Sequence, residues 1–180
     1  MSRLPKTNEY APYYETYISK VPKDTDIIKI LEEQKSKFLG MIRSLSDEQL
    51  NYAYDLGKWT VRQSIMHIIE TERIFAFRAL VISRNDKTSI PGFDQNVYVE
   101  NNIVNHLDID YLAKDFSATR NSSTIMFRGF ADEQWLRIGT ASDNPVSVRA
   151  TAYMIAGHLN HHLALFKDRY GIAIAEQTFN

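Results

Sequence analysis

The chain has 180 residues, 44% of them hydrophobic and 24% charged, which suffices for one hydrophobic core and is typical of an ordinary globular domain. Its formal net charge of -1, with basic residues scattered along the chain, argues against a nucleic-acid surface, and no run approaches the roughly 20 apolar residues of a membrane span. The polar, aromatic N-terminus lacks the apolar stretch of a signal peptide, so we expect a cytoplasmic protein.

The N-terminal segment, residues 1–23, carries three prolines among tyrosines and is predicted to run as an extended arm over the domain surface. Its aromatic residues indicate that the arm docks on the domain. Apolar residues then recur at helical spacing, which predicts the first helix at 24–45, with Asp24 and Thr25 as possible N-caps.

The same periodicity predicts three further long helices, at 60–84, 108–130 and 147–170. Thr60 is the expected N-cap of the second helix, and Gly171 is the expected stop of the fourth. The segment 85–105 is rich in turn-forming residues and is predicted to be a long crossover that holds one short helix.

The predicted fold is an all-α four-helix bundle without a substantial sheet, formed by one domain at 24–172 and followed by a C-terminal tail at 173–180. A faint internal repeat is consistent with two helix pairs, because the tripeptide at 47–49 recurs at 132–134 and a capped helix follows each copy. Chance similarity between two helix starts explains this repeat equally well.

Two histidines of the fourth helix are placed to share one ligand. His158 and His162 lie four residues apart, so their side chains point only about 40° from each other on adjacent turns. Both flank the apolar face of the helix, whereas His161 projects nearly opposite that face and is predicted to be a solvent-side residue. Two imidazoles with this spacing can hold one metal ion, although packing or accident produces many such pairs.

A third nitrogen could come from His67, which lies beside the apolar face of the second helix. The chain has no cysteine, so imidazole and oxygen are the available ligands, and zinc or nickel accepts three imidazoles while keeping a position for water or substrate. His106 falls in the crossover near the third helix and is interpreted as a loop or cap residue outside the site. The candidate cofactor is therefore one divalent metal ion, zinc or nickel.

Three segments of the chain resemble the DinB-like superfamily, the metal-binding bundles that include YfiT-like and bacillithiol-transferase-like proteins. Residues 57–67 (GKWTVRQSIMH) match its Trp-Ser/Thr helix start and first ligand histidine. The loop at 91–94 (PGFD) and the histidine pair within 157–162 (GHLNHH) also match. The resemblance covers about residues 25 to 172 and leaves out the tyrosine-rich arm.

This resemblance implies an up-down-down-up bundle, with the long crossover between the second and third helices and with His67, His158 and His162 as the metal ligands. It also implies a homodimer and a small-molecule substrate, with a low-molecular-weight thiol as one candidate. Proteins of this kind include thiol-dependent transferases and metal-dependent hydrolases and isomerases. The family alone does not choose among these reactions.

Three functional hypotheses therefore stay open: a metal-dependent transferase or hydrolase, a non-catalytic metal-stabilised stress-response or sensor domain acting as a dimer, and a metal-free bundle that works through dimerisation. No catalytic residue is assigned, because Glu70 and Glu72 are interpreted as helix-surface or interhelical charges. Trp59 and Phe93 are candidates for the walls of a substrate pocket, although an aromatic residue beside a helix start is more often part of the core.

Overall fold

The structure, a computed structural model, describes residues 4–23 and 25–174. Its helices, in chain order, are α1 (Glu15–Ile18), α2 (Ile27–Ser44), α3 (Asp47–Asn51), α4 (Val61–Ser83), α5 (Gln95–Asn101), α6 (Ile109–Arg128), α7 (Asp132–Trp135) and α8 (Val148–Asp168). The four long helices α2, α4, α6 and α8 are those predicted from the periodicity, with ends close to the predicted limits. The short helix predicted within the crossover is α5.

Side-chain caps explain where the two helices that carry the candidate ligands begin. Thr60 Oγ1 accepts a hydrogen bond from Gln63 N at 3.2 Å, and the Gln63 side chain accepts one from Thr60 N at 2.8 Å, which together form a capping box at the start of α4. Ser147 Oγ accepts from Ala150 N at 3.0 Å at the start of α8. Both starts agree with the predicted ones.

The start of α2 differs from the prediction. Its N-cap is Asp26, whose carboxylate accepts a hydrogen bond from Ile28 N at 2.9 Å. The cap predicted at Thr25 is therefore wrong, and Asp24 lies outside the described residues. Neighbouring Asp and Thr residues have similar capping chemistry, so the sequence does not choose among them. Most of the predicted C-terminal tail, residues 175–180, also lies outside the described part.

The bundle is closed by contacts of α4 with α6 and α8, and of α2 with the same two helices. A buried ion pair joins α4 to α6: Arg120 Nε donates to Glu72 Oε1 at 2.8 Å, and both side chains are almost fully buried. Arg120 also donates to Leu31 O on α2 at 2.9 Å. No helix within the described residues combines the length and hydropathy needed to cross a bilayer.

Half of the described residues of the N-terminal segment lie in short helical turns, so the prediction of an extended arm is wrong. Two 3-10 turns, Thr7–Glu9 and Pro12–Tyr14, precede α1, and α1 packs against α8. Pro12 stands in the first turn of the second of these segments, where a proline needs no amide hydrogen and helps the turn to form. Pro12 thus begins a short helical turn instead of excluding one.

Polar contacts hold this segment on the bundle at two points. Near its start, Arg149 Nε donates to Glu9 Oε2 at 2.6 Å, and Ser147 Oγ donates to the same oxygen at 2.8 Å. Near its end, Asn160 Nδ2 donates to Lys20 O at 2.9 Å. The segment is therefore attached to the start of α8 and to a point within the helix, at Asn160.

Gly157 of α8 allows α1 to approach closely. A Cβ atom at this position would lie 2.0 Å from Tyr17 O, far inside the van der Waals limit. The obstacle is a backbone oxygen, which cannot turn aside as a flexible side chain would. The glycine is thus required for the docking of the N-terminal segment on α8.

We expect Gly157→Ala to displace α1 from α8, because the added methyl group and Tyr17 O cannot occupy the same space. Hydrogen exchange of the amides in residues 15–21, followed by mass spectrometry, should become faster. Gly40→Ala is the matched control, since a Cβ at this position of α2 meets no atom within 4 Å. That control should stabilise the protein by about 0.5–1 kcal/mol. Unchanged exchange of residues 15–21 in Gly157→Ala would contradict this prediction.

A small antiparallel hairpin, β1 (Ile138–Ala141) and β2 (Asn144–Ser147), precedes α8 and was not predicted. Its turn places Ser142 and Asp143 at φ values of 51° and 59°. Such two-residue turns usually contain Asn-Gly or Asp-Gly, and this one has neither, so the usual sequence signal is missing. The hairpin holds the crossover through a hydrogen bond from Ile90 N to Thr140 O at 3.0 Å.

Candidate metal centre

The packing of α4 on α8 brings the three candidate ligands together. Nε2 of His158 lies 3.1 Å from Nε2 of His67 and 3.0 Å from Nε2 of His162. One nitrogen from each ring can be chosen so that all lie within 4.8 Å of one another. Nitrogens bound to one tetrahedral zinc ion are separated by about 3.3 Å, given Zn–N bonds of about 2.0–2.1 Å. The donor set therefore fits a divalent ion held by three imidazoles.

Burial keeps these imidazoles neutral. The pKa of His67 is lowered to about 4, mainly by desolvation and to a smaller extent by the charge of His161. Burial also lowers the pKa values of His158 and His162 well below the ordinary value, with smaller contributions from the neighbouring histidines. Neutral imidazole is the form that binds a metal, so the cluster is ready for a cation at neutral pH.

The same shifts predict that the metal-free protein loses stability in acid. Below a pH of about 6.5 the unfolded histidines bind protons that the folded cluster does not accept, so unfolding is favoured as the pH falls towards the folded pKa values. Three such protons would give a slope of up to about 4 kcal/mol per pH unit. The measurement is urea unfolding of chelator-treated protein between about pH 7.5 and 5.5, around the histidine pKa.

His162→Gln should lower that slope by the contribution of one proton, because it removes one of the three groups. His106→Gln is the control, since His106 is exposed in a turn and lies outside the histidine cluster. A free energy of unfolding that does not change with pH in the unsubstituted metal-free protein would contradict the prediction.

Neighbouring side chains orient the cluster. Thr71 Oγ1 lies 3.4 Å from His67 Nδ1, which directs the other ring nitrogen of His67 towards His158. The ring of Trp59 lies 4.9 Å from that of His67, and the ring of Tyr17 lies 5.2 Å from that of His158. Packed aromatic rings therefore restrict the rotation of two of the three imidazoles.

Two cavities reach the cluster from different sides. The first, of about 320 Å³, has walls that include His67, His162, His161, Trp59, Tyr54 and Tyr170. The second, of about 220 Å³, has walls that include His158, Thr71, Phe75, Phe93 and Tyr14. Tyr13, Tyr17 and Gln95 line both cavities. Small molecules could thus reach a bound ion.

The position predicted for His161 is wrong. Its ring is half-buried and lines the first cavity, 5.4 Å from the ring of Tyr17 and 5.3 Å from that of His162. The prediction that His161 faces solvent assumed that only the other long helices cover α8. The N-terminal segment covers this side of the helix as well. His161 nevertheless stays outside the group of three converging nitrogens.

Trp59 and Phe93, the candidates for the walls of a substrate pocket, line different cavities, Trp59 the first and Phe93 the second. Glu70 accepts a hydrogen bond from Asn102 at 2.7 Å and does not line either cavity, and burial raises its pKa. Glu72 forms the interhelical ion pair described above, so of the two predicted roles, a helix-surface charge or an interhelical one, it has the second.

Sequence reasoning missed the tyrosines of the N-terminal segment as part of the site. Tyr13 Oη and Tyr17 Oη lie 3.0 Å apart, and burial together with this hydrogen bond raises the pKa of Tyr17. Its hydroxyl therefore stays protonated and can act as a donor at neutral pH. The tyrosine-rich composition was the available signal, but nothing in it indicated which surface the segment would cover.

Comparison with known proteins places this site in a family. The sequence profile of the DinB superfamily matches residues 30–166, a stretch that contains all three candidate ligands. The chain belongs to the DinB superfamily. The predicted resemblance is thereby confirmed, and the N-terminal segment that covers the cluster lies outside the matched stretch.

Two relatives within the DinB superfamily are described as candidate metal-dependent hydrolases. The protein OB0413 of Oceanobacillus iheyensis is 24% identical over 141 residues, which cover 78% of this chain and 81% of that protein. YfiT of Bacillus subtilis is 25% identical over 158 residues, which cover 87% of each chain. A metal-dependent activity is thus attributed to relatives that align along most of this chain.

Two solved structures share the fold of this chain. YfiT from Bacillus subtilis, described as having an unusual four-helix bundle topology, superposes with a TM-score of 0.70 at 20% identity, covering 85% of this chain and 94% of that one. A mycothiol-dependent maleylpyruvate isomerase superposes with a TM-score of 0.67 at 12% identity, covering 88% of this chain and 64% of that one. The predicted all-α four-helix bundle is confirmed by the match to YfiT.

Proposed function

We propose that the protein is a metal-dependent enzyme that holds one divalent ion, zinc or nickel, on His67, His158 and His162 and acts on a small molecule. The observation that carries the proposal is the convergence of three buried, neutral imidazoles at the walls of cavities that a small substrate can enter. Three nitrogen ligands leave at least one coordination position for water or substrate. A bound divalent ion would supply Lewis acidity and lower the pKa of water or a thiol bound to it.

The residues around the cluster suit two reaction classes. Trp59 and Tyr17 pack against two of the imidazoles, and the Tyr17 hydroxyl can donate a hydrogen bond to a bound molecule. Hydrolysis is supported by the descriptions of the two relatives. Transfer to or from a low-molecular-weight thiol is the second class, supported by the common fold with a mycothiol-dependent enzyme.

The first experiment is elemental analysis of protein purified without a histidine tag. A nearly stoichiometric divalent metal is expected, and its absence would refute the proposal. Metal-loaded and chelator-treated samples are then compared in two assays, hydrolysis of p-nitrophenyl esters and consumption of a small thiol in the presence of an electrophile. The chain has no cysteine, so a thiol reagent would report only the added thiol.

The outcomes separate the hypotheses. Metal-dependent ester cleavage would support a hydrolase, and metal-dependent thiol consumption would support a transferase. Bound metal without turnover in a wide substrate panel would favour the alternative, a non-catalytic stress-response or sensor domain stabilised by its metal.

The homodimer stays a prediction that follows from the family. Exposed apolar side chains on α4 and α6, such as Phe77 and Ile125, offer surface for such an interface. Sedimentation at high protein concentration should give about twice the monomer mass of 20.8 kDa, and a mass near 20.8 kDa would count against the dimer.

A further inference from the structure

Within residues 4–23 and 25–174, the walls of the two cavities beside the histidine cluster carry little permanent charge, and none of it is negative. Of the described residues that line them, none is Asp or Glu, and Lys58 is the one with a permanent charge. Three neutral imidazoles leave the charge of a divalent ion uncompensated, and charges interact more strongly in a cavity than in bulk water. The electrostatics of the site therefore favour a ligand that brings negative charge.

A buried arginine beside the second cavity adds to this positive potential. Arg78 is 2% exposed, and its guanidinium lies 5.7 Å from the ring centre of Phe75 and 6.0 Å from that of Phe93, both of which line the cavity. Its partners within the described residues are neutral oxygens, among them Ser142 Oγ at 3.0 Å and Pro91 O at 3.3 Å, and its Nε has no hydrogen-bond partner. A buried cation without a counter-charge is costly, which favours an anion nearby.

The walls of the first cavity favour a planar ligand. Trp59, Tyr54 and Tyr170 present aromatic rings beside His67 and His162. The rings of Tyr54 and Tyr170 meet edge to face at 4.9 Å, which holds both in place. A flat ring can pack between such surfaces, whereas a small ion alone would leave them unused.

We propose that the site takes a small organic anion in which a carboxylate is joined to a planar ring, with Lys58 at the cavity rim contributing to the binding of the carboxylate and with the ring against Trp59. This inference rests on the proposed function, because the metal would supply most of the positive charge. It goes further in naming the chemical class of the ligand and the two residues that select it.

The test is calorimetric titration of the metal-loaded protein with three probes: benzoate, its neutral analogue benzamide, and acetate, which has the charge but no ring. Benzoate should bind about tenfold more tightly than either of the others, a difference of about 1.4 kcal/mol. Benzamide binding as tightly as benzoate would overturn the charge argument, and acetate binding as tightly would overturn the argument from the ring.

Lys58→Met should weaken benzoate binding about three- to fivefold, the upper range for an exposed ion pair, and leave benzamide binding unchanged. Lys114→Met is the matched control, since Lys114 is exposed on α6 and does not line either cavity. Trp59→Leu should weaken benzoate and benzamide alike. Equal benzoate affinities in Lys58→Met and Lys114→Met would overturn the role of Lys58.

Metal content measured on the same samples separates the two proposals. If no metal is retained but benzoate binding still depends on Lys58, the proposed function fails and the ligand class stands. If the metal is retained but the protein does not distinguish benzoate from benzamide, the ligand class fails and the proposed function stands.

Discussion

Replacing His162 by alanine is expected to lower the affinity for the metal by more than about a hundredfold, because losing a direct ligand should exceed the 10- to 100-fold cost typical of changes around the ligands. His67→Ala and His158→Ala should behave in the same way, since all three nitrogens converge on one point. Metal content after dialysis, together with a competition titration against a chelator, measures the effect.

The neighbouring residue provides the control. His161→Ala should leave metal content nearly unchanged, because the ring of His161 lines the first cavity without joining the three converging nitrogens. Thr71→Val should have an intermediate effect. It should lower the affinity for the metal about 10- to 100-fold, since Thr71 contacts only the outer nitrogen of His67. Equal metal loss from His161→Ala and His162→Ala would refute the assigned ligands, and retention of metal in His67→Ala would confine the site to α8.

Arg120→Met is expected to destabilise the protein by about 3–5 kcal/mol, because it leaves the Glu72 carboxylate buried without its cation. The lost hydrogen bond to Leu31 O on α2 acts in the same direction. Thermal unfolding should occur about 10 °C lower or more, given a few degrees per kcal/mol for a chain of this size. Chemical unfolding gives the free energy directly.

Arg128→Met, on the same helix, is the matched control. Both side chains of its ion pair with Glu32 are solvent-exposed, so Arg128→Met should change the free energy of unfolding by no more than about 1 kcal/mol. The double change Glu72→Met with Arg120→Met should recover much of the lost stability, since removing both side chains leaves no unpaired buried charge. Similar losses in Arg120→Met and Arg128→Met would show that the buried pair contributes no more than a surface one.

Much of the fold was predictable because it depends on local sequence. The apolar periodicity of the long helices and the side-chain caps at Thr60 and Ser147 lie within a few residues of the structures they determine. The spacing of His158 and His162 is equally local, so their common direction followed from the helix alone. The approach of His67 to this pair depends on how α4 packs on α8, and it was implied by the family resemblance.

The missed features depend on contacts distant in sequence. The conformation of residues 4–23 is fixed by partners such as Arg149 and Gly157, far along the chain, and no periodic pattern in the segment identifies them. The exposure of His161 was mispredicted for the same reason, since it depends on Tyr17. The hairpin before α8 escaped because Ser142 and Asp143 adopt a left-handed turn without glycine.

The helical segment at residues 4–23 brings Tyr13 and Tyr17 to both cavities, yet it lies outside the part of the chain that matches the DinB superfamily. The candidate metal ligands and part of the walls of the cavities beside them thus lie in separate stretches of sequence. Substitutions in residues 4–23 can change which molecules enter the cavities while the three imidazoles stay in place. The selectivity of the site can therefore change through substitutions in residues 4–23 alone, without any change to the three imidazoles.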